Sequence, residues 1–238
     1  MVVFVFRVAA LATAIGALVS RAGCAFVTNT CLGTNLFSYF TVHSVFLLIL
    51  TLLLSTCYTV FAGSEPRWLT VFRALATTYV VVSGVVFAAL LANAALFNYL
   101  FLVPVSSKVL HFVLPIYAAA DFLLGPRRNR LGWSTAWLAM VFPALWALYT
   151  LFRGQMVGWY PYFFLNPSKV GGYQAVGVYA LGLSGFILLV ALLTVAVTRL
   201  PSTPVEQGKK RGHEEDSASP RSRSPEMSLA SRGQPVRH

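Results

Sequence analysis

The sequence predicts an all-α integral membrane protein: a six-transmembrane-helix bundle followed by a disordered basic C-terminal tail. Three observations carry this. Hydrophobic residues form 57% of the 238-residue chain and charged residues 11%, against about 25% charge in a soluble domain. Six apolar stretches approach the roughly 20 residues needed to cross the hydrocarbon of a bilayer. Of the 7 acidic residues, 5 lie beyond Leu200, which leaves Glu65 and Asp121 for the whole body of the chain. The formal charge of +11 therefore reflects scarce acids and arginines at segment ends. That is the signature of membrane topology, and it excludes nucleic acid as the expected partner.

The expected spans run Val2 to Ser20, Tyr39 to Ala62, Leu69 to Leu91, Val109 to Leu124, Leu131 to Leu151 and Gln174 to Thr198. The first resembles a signal peptide in length. However, Arg7 interrupts its start and no small-x-small cleavage site follows cleanly, so it is expected as a retained helix. The fourth is short and contains Pro115, which a membrane helix tolerates when neighbours satisfy the freed carbonyl. Residues 1–200 form one expected domain, because the connecting loops are short.

Orientation follows the lysines and arginines. Arg7, Arg67, Arg73, Arg127, Arg128, Arg130, Arg199, Lys209, Lys210 and Arg211 fall on one side, and Arg21, Lys108, Arg153 and Lys169 on the other. The expectation is a multi-pass plasma-membrane protein with both termini in the cytoplasm. Residues 201–238, rich in Ser, Pro, Arg and Glu, bury too little to offset ordering entropy and are expected as a solvated, disordered tail. Cys24 and Cys31 share the first outer loop, where a disulfide is permitted; Cys57 lies within the second span.

Polar groups inside a bilayer are costly and need a reason. His43 and His111 are the two histidines of the body, each near the outer end of its helix. Asp121 lies ten residues after His111, about 15 Å along a helix, where an ion pair with Arg127 and Arg128 would anchor the helix end. Thr41 and His43 are two residues apart and point to nearly opposite sides, whereas Thr41 and Ser44 share a face. A basic partner for Thr41 must come from another helix, and His111 is the histidine at that level. A hydroxyl beside an imidazole is the minimum for an activated nucleophile. The fifth loop, Gly158 to Pro167, holds Trp159, Tyr160, Pro161, Tyr162 and Asn166. Such an aromatic run forms either an interfacial belt or a lid over a cavity between helices. No Walker loop, dinucleotide fingerprint or zinc spacing occurs, and no cofactor is expected.

Three segments in order then stand out: Tyr39-Phe40-Thr41 at the second span, His111 with Leu114-Pro115 and Asp121 in the fourth, and Tyr160-Pro161-Tyr162-Phe163-Phe164-Leu165 before the sixth. Together they resemble the androgen-induced and androgen-dependent family of membrane threonine hydrolases, and more closely its bacterial six-helix relatives, over most of residues 36–200. Asn166 stands where that family's loop tends to end in an acid, and Phe163 where a proline is expected. The resemblance implies hydrolysis of fatty-acid esters, with Thr41 as nucleophile and His111 as base. Ser44, Asn98, Lys108, Tyr160, Pro161, Tyr162 and Asn166 are candidates for the pocket or its lid, and Asn98, Lys108 and Tyr162 among them for oxyanion donors. The expected partners are membrane lipids and a lipid-like small-molecule substrate. Two other readings stay open: a non-catalytic lipid-binding or transport protein, and a bis-histidine haem protein using His43 and His111.

Overall fold

A computed structural model describes residues 2–27, 32–62, 65–96, 103–125 and 129–200. Their regular elements are all helical: α1 (Val2–Phe26), α2 (Gly33–Leu36), α3 (Phe40–Phe61), α4 (Arg67–Leu96), α5 (Val105–Lys108), a π-helical turn (Val109–Val113), α6 (Leu114–Leu124), α7 (Ser134–Leu138), α8 (Val141–Val157), a 3-10 turn (Phe163–Leu165), α9 (Pro167–Val170) and α10 (Tyr173–Val197). Among the described residues, six stretches are long and apolar enough to cross a membrane: Val2–Gly23, Phe40–Phe61, Arg67–Asn93, Val105–Leu124, Ser134–Val157 and Tyr173–Val197. The six-helix expectation holds. The fourth span begins a turn earlier than its hydropathy suggests, because α5 continues directly into the π-helical turn. The fifth is made of two pieces and runs further toward its C-terminus than expected.

α4 is the central helix, packed against α3, α6 and α10, while α1 leans on α3, α5 and α6. Lipid tails are as apolar as leucine, so close van der Waals fit holds such helices together. α1 supplies the small side chains this requires. Ala10, Ala14 and Ala17 lie on one helical face and are buried against Val45, Leu48, Val80, Leu110, Leu114 and Ala118. A second core, on the other side of α4, is aromatic. In it Phe40, Tyr79, Trp146, Phe164 and Leu165 are buried together.

At one end of the bundle the two acids of the body meet two arginines. Arg7 contacts Glu65 Oε1 at 3.0 Å and Asp121 Oδ1 at 3.1 Å, and Arg73 contacts Glu65 Oε2 at 2.7 Å and Asp121 Oδ2 at 2.6 Å. Arg7 also donates to the Ser55 carbonyl and the Thr59 hydroxyl. The ring of four is charge-neutral, which is what makes its burial tolerable. Asp121 was expected to pair with Arg127 and Arg128, which lie outside the described residues. Among the described residues, its two carboxylate oxygens are bonded by Arg7 and Arg73, from α1 and α4. The proposed Cys24–Cys31 bridge, Asn98 and the tail (201–238) also lie outside the described residues or side chains.

Candidate active site

Thr41 lies in the first turn of α3 and is buried, 5% exposed. Its Oγ1 is 3.1 Å from His111 Nε2 and 2.6 Å from Ser83 Oγ. His111 Nδ1 is 2.8 Å from the Ser107 carbonyl oxygen. A carbonyl only accepts, so in the neutral ring Nδ1 carries the proton and Nε2 presents its lone pair. Thr41 Oγ1–H therefore donates to His111 Nε2, and Ser83 Oγ–H donates to Thr41 Oγ1. The directions of all three bonds follow from the one carbonyl at Ser107.

Local sequence explains how His111 comes to this position. It sits in the π-helical turn, immediately before Leu114–Leu124. Pro115 has no N–H to return to the His111 carbonyl four residues back, and π turns occur where a helix makes room for such a defect. On α4, Gly84 faces that carbonyl. A Cβ at position 84 would fall 2.6 Å from the His111 oxygen and 2.9 Å from Pro115 Cγ. The glycine thus lets two helix backbones approach closely and brings Ser83 and His111 to the same hydroxyl. Phe87, one turn further along α4, stacks on the imidazole with centroids 3.9 Å apart and planes 18° apart. The ring is held by stacking on one face and by hydrogen bonds at both nitrogens.

Thr41 and His111 lie at the boundary of two cavities. One, of about 110 Å³, runs between α4, α8 and α10 and is lined by Ser83, Trp146, Phe164 and Ile187 among others. The other, of about 390 Å³, opens toward α1 and α5 and is lined by Arg21, Leu36, Tyr39, Ser107 and Pro161 among others. Thr41, Phe87, Leu90, His111 and Tyr162 belong to both walls. The smaller cavity is almost wholly apolar, and the larger is mainly so. Among the described residues, Arg21 is the one charged side chain lining the larger cavity, and it has no carboxylate partner there.

The fifth loop folds back over this end of the bundle. Gly154 makes that possible, because a Cβ there would meet the Tyr160 ring. Tyr162 packs edge-on against Tyr39 and Trp146 and stacks on Phe164. Burial pushes its phenol up to about 12, against the opposing effect of hydrogen bonding to the Thr41 side chain and backbone and to the Phe40 backbone. The neutral phenol thus offers its oxygen as an acceptor to backbone N–H groups in the first turn of α3, which have no intrahelical acceptor.

The other residues singled out in the sequence lie as follows. Pro161 and Tyr162 line the cavities. Ser44 donates to the Thr41 carbonyl at 2.9 Å, a bond within its own helix. Lys108 is exposed beside Ser107. Asn166 Oδ1 accepts from the Ser168 N–H and caps α9. Tyr160 packs on Gly154 instead of lining either cavity. His43 turns away from Thr41, donating from Nδ1 to the Tyr39 carbonyl at 3.1 Å beside the Phe142 ring. His43 lines neither of the two cavities that His111 borders. Among the described residues, no three side chains of metal-ligating type cluster.

Sequence reasoning missed Ser83, Ser107, Phe87 and Arg21. Ser107 fell outside the expected fourth span, and Ser83 was one hydroxyl among several in an apolar helix. The pair Ser83-Gly84 was the available signal, because a glycine inside a membrane helix marks a close backbone approach. Comparison of the chain with protein-family models, with curated proteins and with solved structures finds no match.

Proposed function

We propose that this chain is a membrane hydrolase of lipid esters, with Thr41 as nucleophile and His111 as general base. The proposal includes kinship with the androgen-induced and androgen-dependent threonine hydrolases. The observation that carries the reading is the Thr41 Oγ1–H to His111 Nε2 hydrogen bond at the junction of two apolar cavities. A hydroxyl with a directed proton acceptor, a mainly apolar surrounding and room on both sides is what acyl transfer from a long-chain ester needs.

In this mechanism the ester carbonyl lies at Thr41, with one apolar arm in each cavity. Thr41 Oγ1 attacks the carbonyl carbon as its proton passes to His111 Nε2. His111 then protonates the departing alkoxide, and an acyl-threonine stays behind. Water, deprotonated by Nε2, cleaves that ester, releases the fatty acid and restores Thr41. The Ser107 carbonyl holds the Nδ1 proton while Nε2 gains and loses its own, and Phe87 fixes the plane of the ring. The Tyr162 phenol is a candidate donor to the oxyanion. Arg21 at the larger cavity suits a substrate that carries an acidic group on that arm. The charge distribution of the loops supports a plasma-membrane orientation with cytoplasmic termini, which puts Thr41 toward the outer leaflet.

The test is purification in detergent and reaction with a fluorophosphonate probe, comparing wild type with Thr41→Ala and His111→Ala. Labelling of wild type that is lost in both folded variants is the expected result. A well-folded wild type that binds fatty acyl ligands yet takes no label would replace the reading with a lipid-binding or transport protein built on the same cavities.

A further inference from the structure

We propose that Ser83 is a third catalytic residue, the hydroxyl that stabilises the oxyanion formed on the substrate; this rests on the threonine-hydrolase reading above. The first support is where the hydroxyl points. Serines and threonines in apolar helices usually bond a carbonyl one turn back, as Thr78 does to Ala74, Thr51 to Leu48 and Ser44 to Thr41. Ser83 instead reaches across to α3 and contacts Thr41 Oγ1 at 2.6 Å. It is 7% exposed and lines the 110 Å³ cavity together with Thr41 and His111.

The second support is the direction of the bond. Because the Ser107 carbonyl fixes the tautomer of His111, Ser83 is the donor and Thr41 Oγ1 the acceptor. As Oγ1 attacks, its O–H bond breaks and the proton moves to Nε2. The π pair of the ester carbonyl moves onto the carbonyl oxygen, two bonds away from Oγ1. Oγ1 becomes an ester-type oxygen and a weaker acceptor. Rotation about the Ser83 Cβ–Oγ bond then carries the same proton donor to the new oxyanion, where the bond is charge-assisted and stronger. Collapse returns the pair to the carbonyl and expels the alkoxide, which takes the proton from Nε2. Ser83 loses no atom, and its interaction is tighter in the transition state than before it, the condition for acceleration.

The experiment follows hydrolysis of p-nitrophenyl octanoate by the full-length protein in detergent, for wild type, Ser83→Ala, Ser83→Thr and Thr41→Ala. Ser83→Ala is expected to lower kcat by about 10²–10³-fold, the effect of removing one oxyanion donor. KM should stay within about twofold, because Ser83 bonds the substrate's own oxygen only as the oxyanion forms. Ser83→Thr, which keeps the hydroxyl, should recover most of the rate. If Ser83→Ala does not fold, Ser83→Cys replaces it with a weak donor of similar size, and the same fall in kcat is expected. Turnover by Ser83→Ala within about threefold of wild type, with Thr41→Ala silent, overturns the role of Ser83 and leaves the hydrolase reading standing. A rise in KM at constant kcat also overturns it and makes Ser83 a binding residue. Wild-type turnover that survives Thr41→Ala, or no turnover by folded wild type, overturns the hydrolase reading and Ser83's role with it.

Discussion

Replacing Gly84 by alanine should separate the two halves of the site without touching a catalytic atom. The new Cβ would stand 2.6 Å from the His111 carbonyl oxygen and 2.9 Å from Pro115 Cγ, whereas ordinary contact begins at 3.4 Å. Backbone and a proline ring do not swing aside, so α4 and the His111 turn must part by about 0.8 Å. The Thr41–His111 bond is 3.1 Å long, and a shift of that size along its axis takes it past about 3.5 Å, where it ceases to be a hydrogen bond. α3 packs along α4, so Thr41 and Ser83 would move together away from His111. Misplacement of this order costs about 10²-fold in rate, and overpacking costs about 1–3 kcal/mol of stability. Fluorophosphonate labelling rates and thermal unfolding in detergent measure the two. Gly16→Ala in α1 is the control: no atom lies within 4 Å of its Cβ position, so labelling should be unchanged. Wild-type labelling by Gly84→Ala would refute the claim that this close approach sets the Thr41–His111–Ser83 geometry.

Three further outcomes are expected. Asp121→Ala leaves both Arg7 and Arg73 buried with one carboxylate fewer; stability should fall by about 3–5 kcal/mol, measured as a lowered melting temperature in detergent. The Tyr162 phenol is raised from 10.0 to about 12 in the folded protein. The folded state therefore holds this proton more tightly than the unfolded state, and the stability linked to it is present below pH 10 and lost as pH climbs toward about 12. Tyr162→Phe should flatten that alkaline loss in melting curves recorded between pH 9 and 12, and an unchanged slope would place the phenol in water. Arg21→Gln should raise KM for an ester bearing a carboxylate by about 10–100-fold, the worth of one charge-assisted hydrogen bond, while a neutral ester of equal length is turned over as before. Equal effects on both esters would remove Arg21 from substrate recognition.

The candidate site was legible in part. Thr41 and His111 stood out because a polar group in an apolar helix is expensive, and helical geometry alone separates Thr41 from His43. Tyr162 and Pro161 were flagged by an aromatic run with prolines. The same run left belt and lid equally open, and it is the rings of Tyr39, Trp146 and Phe164 around Tyr162 that bring this loop over the cavities. Ser83 was not legible. A hydroxyl in an apolar helix bonds its own backbone by default, and only the position of α3 beside α4 reveals that this one does not.

The amino-acid sequence alone determined the number of spanning helices and their order, because hydrocarbon imposes a length and an apolar composition on each segment independently of its neighbours. The tertiary structure decided which rare polar groups meet. Arg7 and Asp121 are 114 residues apart in the chain and share one ring of charges, and Thr41 and His111 are 70 apart and share one proton. Such pairings depend on which faces of which helices touch, and on small residues such as Gly84 that let them touch closely. Local hydropathy records where a helix must lie along the membrane normal and carries almost nothing about its rotation or its neighbours.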